Sequence, residues 1–533
     1  MIGLFRKVEI NKYLKLRYLF FVFLVSLYSN FSLYGENLFF YVTNVNLSYK
    51  NLLILTIGSF LGIPIILLIL CYLDYINKKI EKYNYKIKFS NYAKLFLVTL
   101  TIWSMYLIIG WPGIITPDTI SQHLQAVGTI PFSNHHNIFH TLILRFFYKI
   151  YDNYTFVIFL QIVFASSIWA LVIGSLSNKI HINYLIVFSI FFSAIPSNAQ
   201  TICSLWKDIP YAFSLLLLIF VLSKTEINFF RYNYALLFIL SFVLVALLRH
   251  NGVIVSTGTL LYYLFIAKYK RLAMVLTSII LGIFFFIQFP VMNYYNVKPI
   301  EIWTRHITMY NDLVGVIVAN GKLSPKTRAF IEKNIPVDKH MKIYTPYIPY
   351  MYYSPKIQKY FGFNDADVGL NEISTAELFS MYINTISREP ALIIQNRLLS
   401  ADILWNCSLR KEYNPESTQI LTKNVNNNRK ILVVKENKIK HFARKIRNDL
   451  LKSSIYIVLF QKAGIYLLGV SILFLFTIVN KNKRMLIIFI PIILQSLGLL
   501  LSIQAQDYRY VWPIFVSFWF ILMYCLTQKS NFK

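Results

Sequence analysis

Residues 154–176, YTFVIFLQIVFASSIWALVIGSL, contain no charged side chain. Wound as an α-helix, such a run crosses the roughly 30 Å hydrocarbon core of a bilayer. Comparable runs of roughly 17–24 residues recur along the chain, with some shorter. In lipid a backbone must satisfy its own hydrogen bonds, which leaves helices and closed barrels. The runs are continuously apolar rather than alternating, so helices are expected. Composition agrees: of 533 residues, 56% are hydrophobic and 14% charged, against about 25% charged in an average soluble domain. The expected fold class is an all-α polytopic membrane protein.

Runs near 18–34, 51–73, 93–111, 154–176, 184–196, 209–223, 233–249, 253–267, 272–290, 456–479, 485–503 and 508–527 give about twelve transmembrane helices. The first run is longer than a signal-peptide core and lacks a small-residue cleavage site, so it reads as a retained span. Lys and Arg mark the cytoplasmic side of short loops. Arg6, Lys7, Lys12, Lys15 and Arg17 precede the first run, and Lys78, Lys79, Lys179, Arg231, Lys268, Arg271, Lys483 and Arg484 fill alternate loops. With Lys529 and Lys533 in the tail, both termini are expected in the cytoplasm. Much of the net charge of +30 serves this orientation, which argues against nucleic acid as a partner. The four cysteines are scattered; Cys203 and Cys407 could both face outside and pair, although spacing alone does not show it.

Four stretches follow from this layout. Residues 1–92 hold N-terminal membrane helices and a basic loop. Residues 93–290 form a transmembrane core with an outer loop at 112–153. Residues 291–455 are a polar segment long enough for a small domain, and 456–533 supply the last helices. The span count puts 291–455 outside, as a mixed extracytoplasmic domain. Its last part, NNRKILVVKENKIKHFARKIRNDLLK, is strongly basic, but long segments cross largely regardless of charge. Tyr344–Pro355, YTPYIPYMYYSP, reads either as a carbohydrate-stacking loop or as a membrane-interface aromatic belt. No internal repeat and no pair of matched broken helices is evident, which speaks against an inverted-repeat transporter.

With this topology four polar clusters reach the outer rim: Asp118 to His140; Trp206, Lys207 and Asp208; Arg249, His250 and Asn251; and Gln504, Gln506, Asp507 and Arg509. Charges at membrane depth are costly and often functional; snorkelling at helix ends is the plainer alternative. Thr116-Pro117-Asp118 reads as a helix start, with Thr as N-cap, Pro first and Asp in the first turn. Asp118, Gln122 and Gln125 share one face of that helix, and Ile120, Leu124 and Val127 the other. This predicts a helix on the membrane surface with its polar face outward. Asp118 is then either a dipole-stabilised first-turn acid or a base kept ionised at neutral pH. In SNHHNIFHT, Asn134 is expected to cap a helix carrying His136 and His140 at i and i+4. Packing, substrate contact and metal binding all stay open there. Asp208 can cap the helix running through Pro210, and Asp507 can pair with Arg509.

One carboxylate among several cations at a membrane face suits a lipid-borne phosphate. Arg and Lys bind phosphate by charge-assisted hydrogen bonds. In sugar transfer from a polyprenyl phosphate, negative charge grows on the leaving phosphate, so cations there favour the transition state. The acceptor hydroxyl loses its proton as it attacks, and a positioned Asp can take it.

The stretches PGIITPDTISQHLQAV, NHHNIFHT, LWKDIPYAF, LLRHNGVIV and DYRYVWP resemble the GT-C superfamily of polytopic glycosyltransferases, in particular a bacterial branch of it. The resemblance covers roughly residues 95–290 and the final span. It implies a polyprenyl-phosphate-linked sugar as donor, a cell-envelope acceptor and a bacterial cell membrane. It also implies a catalytic acid at Asp118. Substrate contacts would come from His135, His136, His140, Lys207, Asp208, Arg249, Asn251, Asp507 and Arg509, with Lys207, Arg249 and Arg509 candidates for the donor phosphate. The chain departs from the pattern twice. Two extra spans precede the catalytic loop, and Asp118 lacks the acidic neighbour that many members carry, which leaves a divalent metal open. A polysaccharide polymerase or ligase using a polyprenyl-diphosphate oligosaccharide would lean more on Arg and His. A flippase or transporter of lipid-linked sugars would carry mid-span charges and related halves.

Overall fold

The computed structural model describes residues 14–39, 49–224, 232–300, 302–334, 344–347, 373–408, 438–451 and 453–528. The basic residues Arg6, Lys7, Lys12, Arg231, Lys529 and Lys533, residues 348–355 of the aromatic loop and the start of the basic stretch lie outside them. The chain opens with α1 (Leu16–Phe39), α2 (Tyr49–Glu81) and α3 (Phe89–Ile109). Two short helices, α4 (Pro117–Val127) and α5 (Ile138–Ile150), come before α6 (Tyr154–Gly174). Then follow α7 (Ile182–Ala194), α8 (Pro196–Ile202), α9 (Asp208–Lys224), α10 (Tyr232–Leu248), α11 (Gly252–Ile266) and α12 (Lys270–Phe286). The polar segment contributes α13 (Ile302–Val318), α14 (Pro325–Asn334), α15 (Thr375–Arg388), α16 (Pro390–Ser400) and α17 (Lys438–Leu451). The chain closes with α18 (Ser454–Phe460), α19 (Gly464–Val479), α20 (Ile490–Ser502) and α21 (Tyr508–Thr527).

Every apolar run of the sequence is helical, as self-satisfied backbone in lipid requires. Among the described residues, six helical stretches are long and apolar enough to cross a membrane, or up to eight if each of two bent pairs is one span; α1, α10 and α11 hold shorter apolar stretches. The protein is a multi-pass, all-α membrane protein. The helix α9 is apolar on all sides, and such a helix belongs in the interior. It packs against α6, α10 and α21, and all of its residues except Pro210 and Lys224 are buried.

Several expectations are corrected. No strand forms among the described residues, and the described part of 291–455 is helical rather than mixed. It holds a small core of its own around Ile307, Tyr310, Leu313, Leu378 and Met381. Broken helices do occur. The pair α7–α8 bends by 72° at Pro196, and α18–α19 bends by 46°. The two pairs meet: Gln461, in the second break, donates to Ser197 Oγ at 3.3 Å, and Tyr456 Oη of α18 lies 2.7 Å from the same hydroxyl. Cys203 and Cys407 are not paired: both are free and buried, and Cys407 Sγ lies 2.9 Å from Ser32 Oγ.

Candidate functional site

The backbone first brings two of the polar clusters together. Ile114 N donates to Cys203 O at 3.0 Å, and Ile114 bridges to Ser204. Gly113 turns the chain here with φ of +117°, where a side chain would also strike Ile158. Gln161 in α6 fixes the other side of this contact, donating to the carbonyls of Ile202 and Ser204. Thr116 and Trp206 therefore lie side by side. Thr116 caps α4 by accepting from Thr119 N, and its hydroxyl also accepts the indole N–H of Trp206 at 3.0 Å. The cap reading of Thr116 holds, with Asp118 in the first turn.

Arg509, at the start of α21, reaches the same spot. Its Nη1 lies 2.6 Å from Asp118 Oδ2 and its Nε 2.8 Å from Asp507 Oδ2. Its guanidinium sits 5.0 Å from the Trp206 ring and 5.1 Å from the Tyr510 ring. Asp507 also caps α21, accepting from Arg509 N. Arg249 pairs with Asp208 at 3.0 Å and lies over the rings of Tyr211 and Tyr510. Lys207 is half-buried between these groups and makes no ion pair among the described residues. Asp208 lies in the first turn of α9.

The histidines divide. The helix α5 starts at Ile138 under Asn137, not under Asn134, so His136 precedes it and the expected i, i+4 pairing with His140 does not form. Asn137 Oδ1 accepts from Phe139 N at 3.2 Å, and Asn134 Oδ1 accepts from Ile138 N at 3.3 Å, so both asparagines satisfy N–H groups of the first turn. His136 is buried against His135, edge to face, within electrostatic reach of Asp118. His140 is turned inward and bonds Gln122 through Nδ1 at 2.6 Å. His250 bonds the carbonyl of Asn134 at 3.0 Å. Asn251 packs toward Gly498 of α20. Gln504 and Gln506 serve the polar segment: Gln504 donates to Thr304 O, and Gln506 bonds Ser400 O and Ile403 N.

The helix α4 is not a surface helix with its polar face in water. Gln122 and Gln125 are buried like Ile120 and Leu124, while Val127 is exposed. The polar face instead finds protein partners, His140 for Gln122 and Ser133 N for Gln125. Asp118, in contrast to Gln122 and Gln125 on that face, keeps its side chain 34% exposed.

Electrostatics follow from burial and these cations. Burial pushes the Asp118 pKa up, but Arg509, His136 and Lys207 outweigh it and hold the carboxylate well below its usual range. Burial, then Lys207, hold His136 well below the usual imidazole value against the pull of Asp118. The same causes take His140 to about 3 and His250 to about 4. Burial lowers Lys207 to about 8, with Asp208 opposing. No three His, Cys, Asp or Glu side chains among the described residues converge to hold a metal. Each acid of the site is engaged by an arginine instead.

An apolar groove of about 650 Å³ runs between α5 and α12, lined by Phe139, Leu142, Ile143, Phe146, Gly282 and Phe286 among others. Phe139, in the first turn of α5, stands three residues after His136 in the chain. The chain beyond α12 returns to the same loop, with Asn134 N bonding Lys298 O and Lys298 N bonding Phe132 O, both at 2.9 Å. The sequence reading missed the role of Tyr510, the ring that two arginines share; its place next to Arg509 in DYRY was the available signal. No family model, curated protein or solved structure matches the chain.

Proposed function

We propose that the protein is a membrane glycosyltransferase that moves a sugar from a polyprenyl-phosphate donor to an extracytoplasmic cell-envelope acceptor. The observation that carries this reading is the meeting of Asp118, Lys207 and Arg509, from three remote segments, at a partly open site, together with the apolar groove between α5 and α12. Lys207 and Arg509, with Arg249 behind them, hold the donor phosphate. They stabilise the charge that grows on it as the sugar–phosphate bond breaks. Asp118 takes the acceptor's proton. The groove seats the first isoprene units. The chain crosses the membrane about twelve times with both termini in the cytoplasm and 291–455 outside. A divalent metal, if used, would need donors from the substrate, since each acid is engaged by an arginine.

The test is transfer by the purified protein from a panel of polyprenyl-phosphate sugars, with and without divalent metal. Incorporation from a monosaccharide-phosphate lipid supports this reading, while activity only with a diphosphate-linked oligosaccharide supports a polymerase or ligase. The meeting of two bent helix pairs at Ser197 and Tyr456 favours a second reading, a flippase of lipid-linked sugars, since broken helices often line transport sites. Movement of labelled lipid across vesicles without sugar transfer would select it.

A further inference from the structure

We infer that the donor's phosphate displaces Asp118 from Arg509, so that the carboxylate becomes free to act as a base only when the donor is seated. The inference rests on the transferase reading above for its consequence, but the exchange itself is a binding event. It answers a difficulty in that reading. A carboxylate bound to a guanidinium at 2.6 Å and held well below its usual pKa is a weak proton acceptor.

The geometry selects which partner leaves. Arg509 is held from behind by groups that do not need Asp118: Asp507 on Nε, the Tyr510 hydroxyl on Nη2, and the Trp206 and Tyr510 rings on its faces. Asp507 is 6% exposed and is committed to capping α21, and Asp208 is 2% exposed and committed to Arg249. Asp118 is the outward acid, 34% exposed. When it moves off, Nη1 faces the opening with its plane still fixed, the arrangement a phosphate oxygen requires. Lys207, without an ion pair among the described residues, provides a second cation within electrostatic reach of both Asp118 and Arg509.

Charge balance works in the same direction. Lys207, Arg249 and Arg509 face Asp118, Asp208 and Asp507, so the resting site is formally neutral when Lys207 is protonated. A phosphodiester adds one negative charge and competes with Asp118 for the same N–H. Both effects raise the proton affinity of the freed carboxylate. The acceptor O–H then gives its proton to Asp118, its oxygen bonds the sugar's anomeric carbon, and the carbon–oxygen bond to phosphate breaks. The electron pair leaves on the lipid phosphate, now a dianion held by Arg509 and Lys207. Without donor, Asp118 stays engaged and cannot activate water.

The experiment measures binding of farnesyl phosphate to the purified full-length protein in nanodiscs, with farnesol and inorganic phosphate as controls. Asp118→Asn, which frees Nη1, is expected to tighten farnesyl phosphate binding about threefold to tenfold and leave farnesol unchanged. Arg509→Gln is expected to weaken it more than tenfold. In the Arg509→Gln background, Asp118→Asn should gain little. Infrared difference spectra of the wild type should show a carboxylate band shifting on binding, and Asp118→Asn should lack that band. Equal tightening with and without Arg509 would reduce the gain to general charge removal and overturn the exchange, as would unchanged affinity in Asp118→Asn. An inorganic phosphate response at the same concentrations would overturn its assignment to a lipid-borne anion. Failure of the transferase reading looks different: tightened binding in Asp118→Asn, but no sugar transfer by the wild type from any donor.

Discussion

Arg249 and Arg509 share one aromatic ring: their guanidinium carbons lie 5.2 and 5.1 Å from the centre of Tyr510. Both guanidinium groups lie over this ring, whose negative face attracts each of them. Asp208 and Asp507 complete the neutralisation from outside. The ring therefore links the two cations that the proposed function assigns to the donor phosphate. Tyr510→Leu should weaken farnesyl phosphate binding by about fivefold to thirtyfold, taking about 0.5–1 kcal/mol for each lost contact. Tyr510→Phe keeps the ring and loses only the hydroxyl contact to Arg509, so it should stay within about fivefold of wild type. Titration of both variants with the same ligand checks the order.

Removing the base is the direct test of Asp118. Asp118→Asn should lower kcat by about 10²–10⁴-fold, the usual contribution of a positioned general base. Expression and membrane insertion should persist, because Thr116 still caps α4 and Asp507 still holds Arg509. Turnover near wild type would remove Asp118 from the chemistry.

The same residue marks how far the sequence carried. Thr116-Pro117-Asp118 fixes a helix start through local chemistry alone, and the structure has it there. The apolar runs fix helices for the same local reason. What pattern could not supply was the identity of the partner. The polar face of α4 reads as water-facing because a helical wheel does not distinguish water from the imidazole of His140. Asn134 and Asn137 both suit a cap, and both are used: Asn134 accepts from Ile138 N and Asn137 from Phe139 N, so the helix starts one turn later than Asn134 alone suggests. The helices that bend beside Pro196 and before Gly464 touch where Tyr456 meets Ser197, a contact across 259 residues of chain that spacing does not reveal. The Arg509–Asp118 pair spans 391 residues, and no spacing rule anticipates it.

Lys207 gives the site a pH signature. Its burial brings the pKa down to about 8. Below that pH the amine is a cation and can hold phosphate; as pH rises through about 8 the charge is lost and donor capture falls. The value of kcat/KM should therefore decline on the alkaline side with a midpoint near 8 in the free protein. Lys207→Arg stays charged and should move that decline to higher pH. Lys207→Met should be slow throughout and show no such limb. A pH profile of kcat/KM for the three proteins decides it.

Asp208 and Arg249 are expected to matter for stability as well as binding. Their side chains are 2% and 9% exposed. Arg249→Gln leaves a buried carboxylate without its cation, which costs about 3–5 kcal/mol in comparable sites. The double change Arg249→Gln with Asp208→Asn removes both charges and should recover most of that loss. Thermal unfolding in detergent should rank the double variant above the single one. The reverse order would mean that the unpaired charge of Asp208 is not what destabilises Arg249→Gln.

The groove between α5 and α12 separates a site for a lipid-borne phosphate from one for a soluble anion. Gly282 lines it, and a Cβ placed there meets nothing within 4 Å. A larger side chain can therefore start there without a clash at its Cβ. Glycine within a helix is also less favourable than alanine, by roughly 0.8–1 kcal/mol in aqueous hosts, and leucine ranks close to alanine, so Gly282→Leu or Gly282→Phe should not destabilise α12. Any functional loss then comes from filling the groove. Both variants should raise KM for a long-chain polyprenyl-phosphate sugar, Phe more than Leu. They should leave KM for a donor on a chain too short to reach Gly282 near wild type. If the short and long donors respond alike, the prenyl chain lies elsewhere, and the cation cluster alone would have to account for donor recognition.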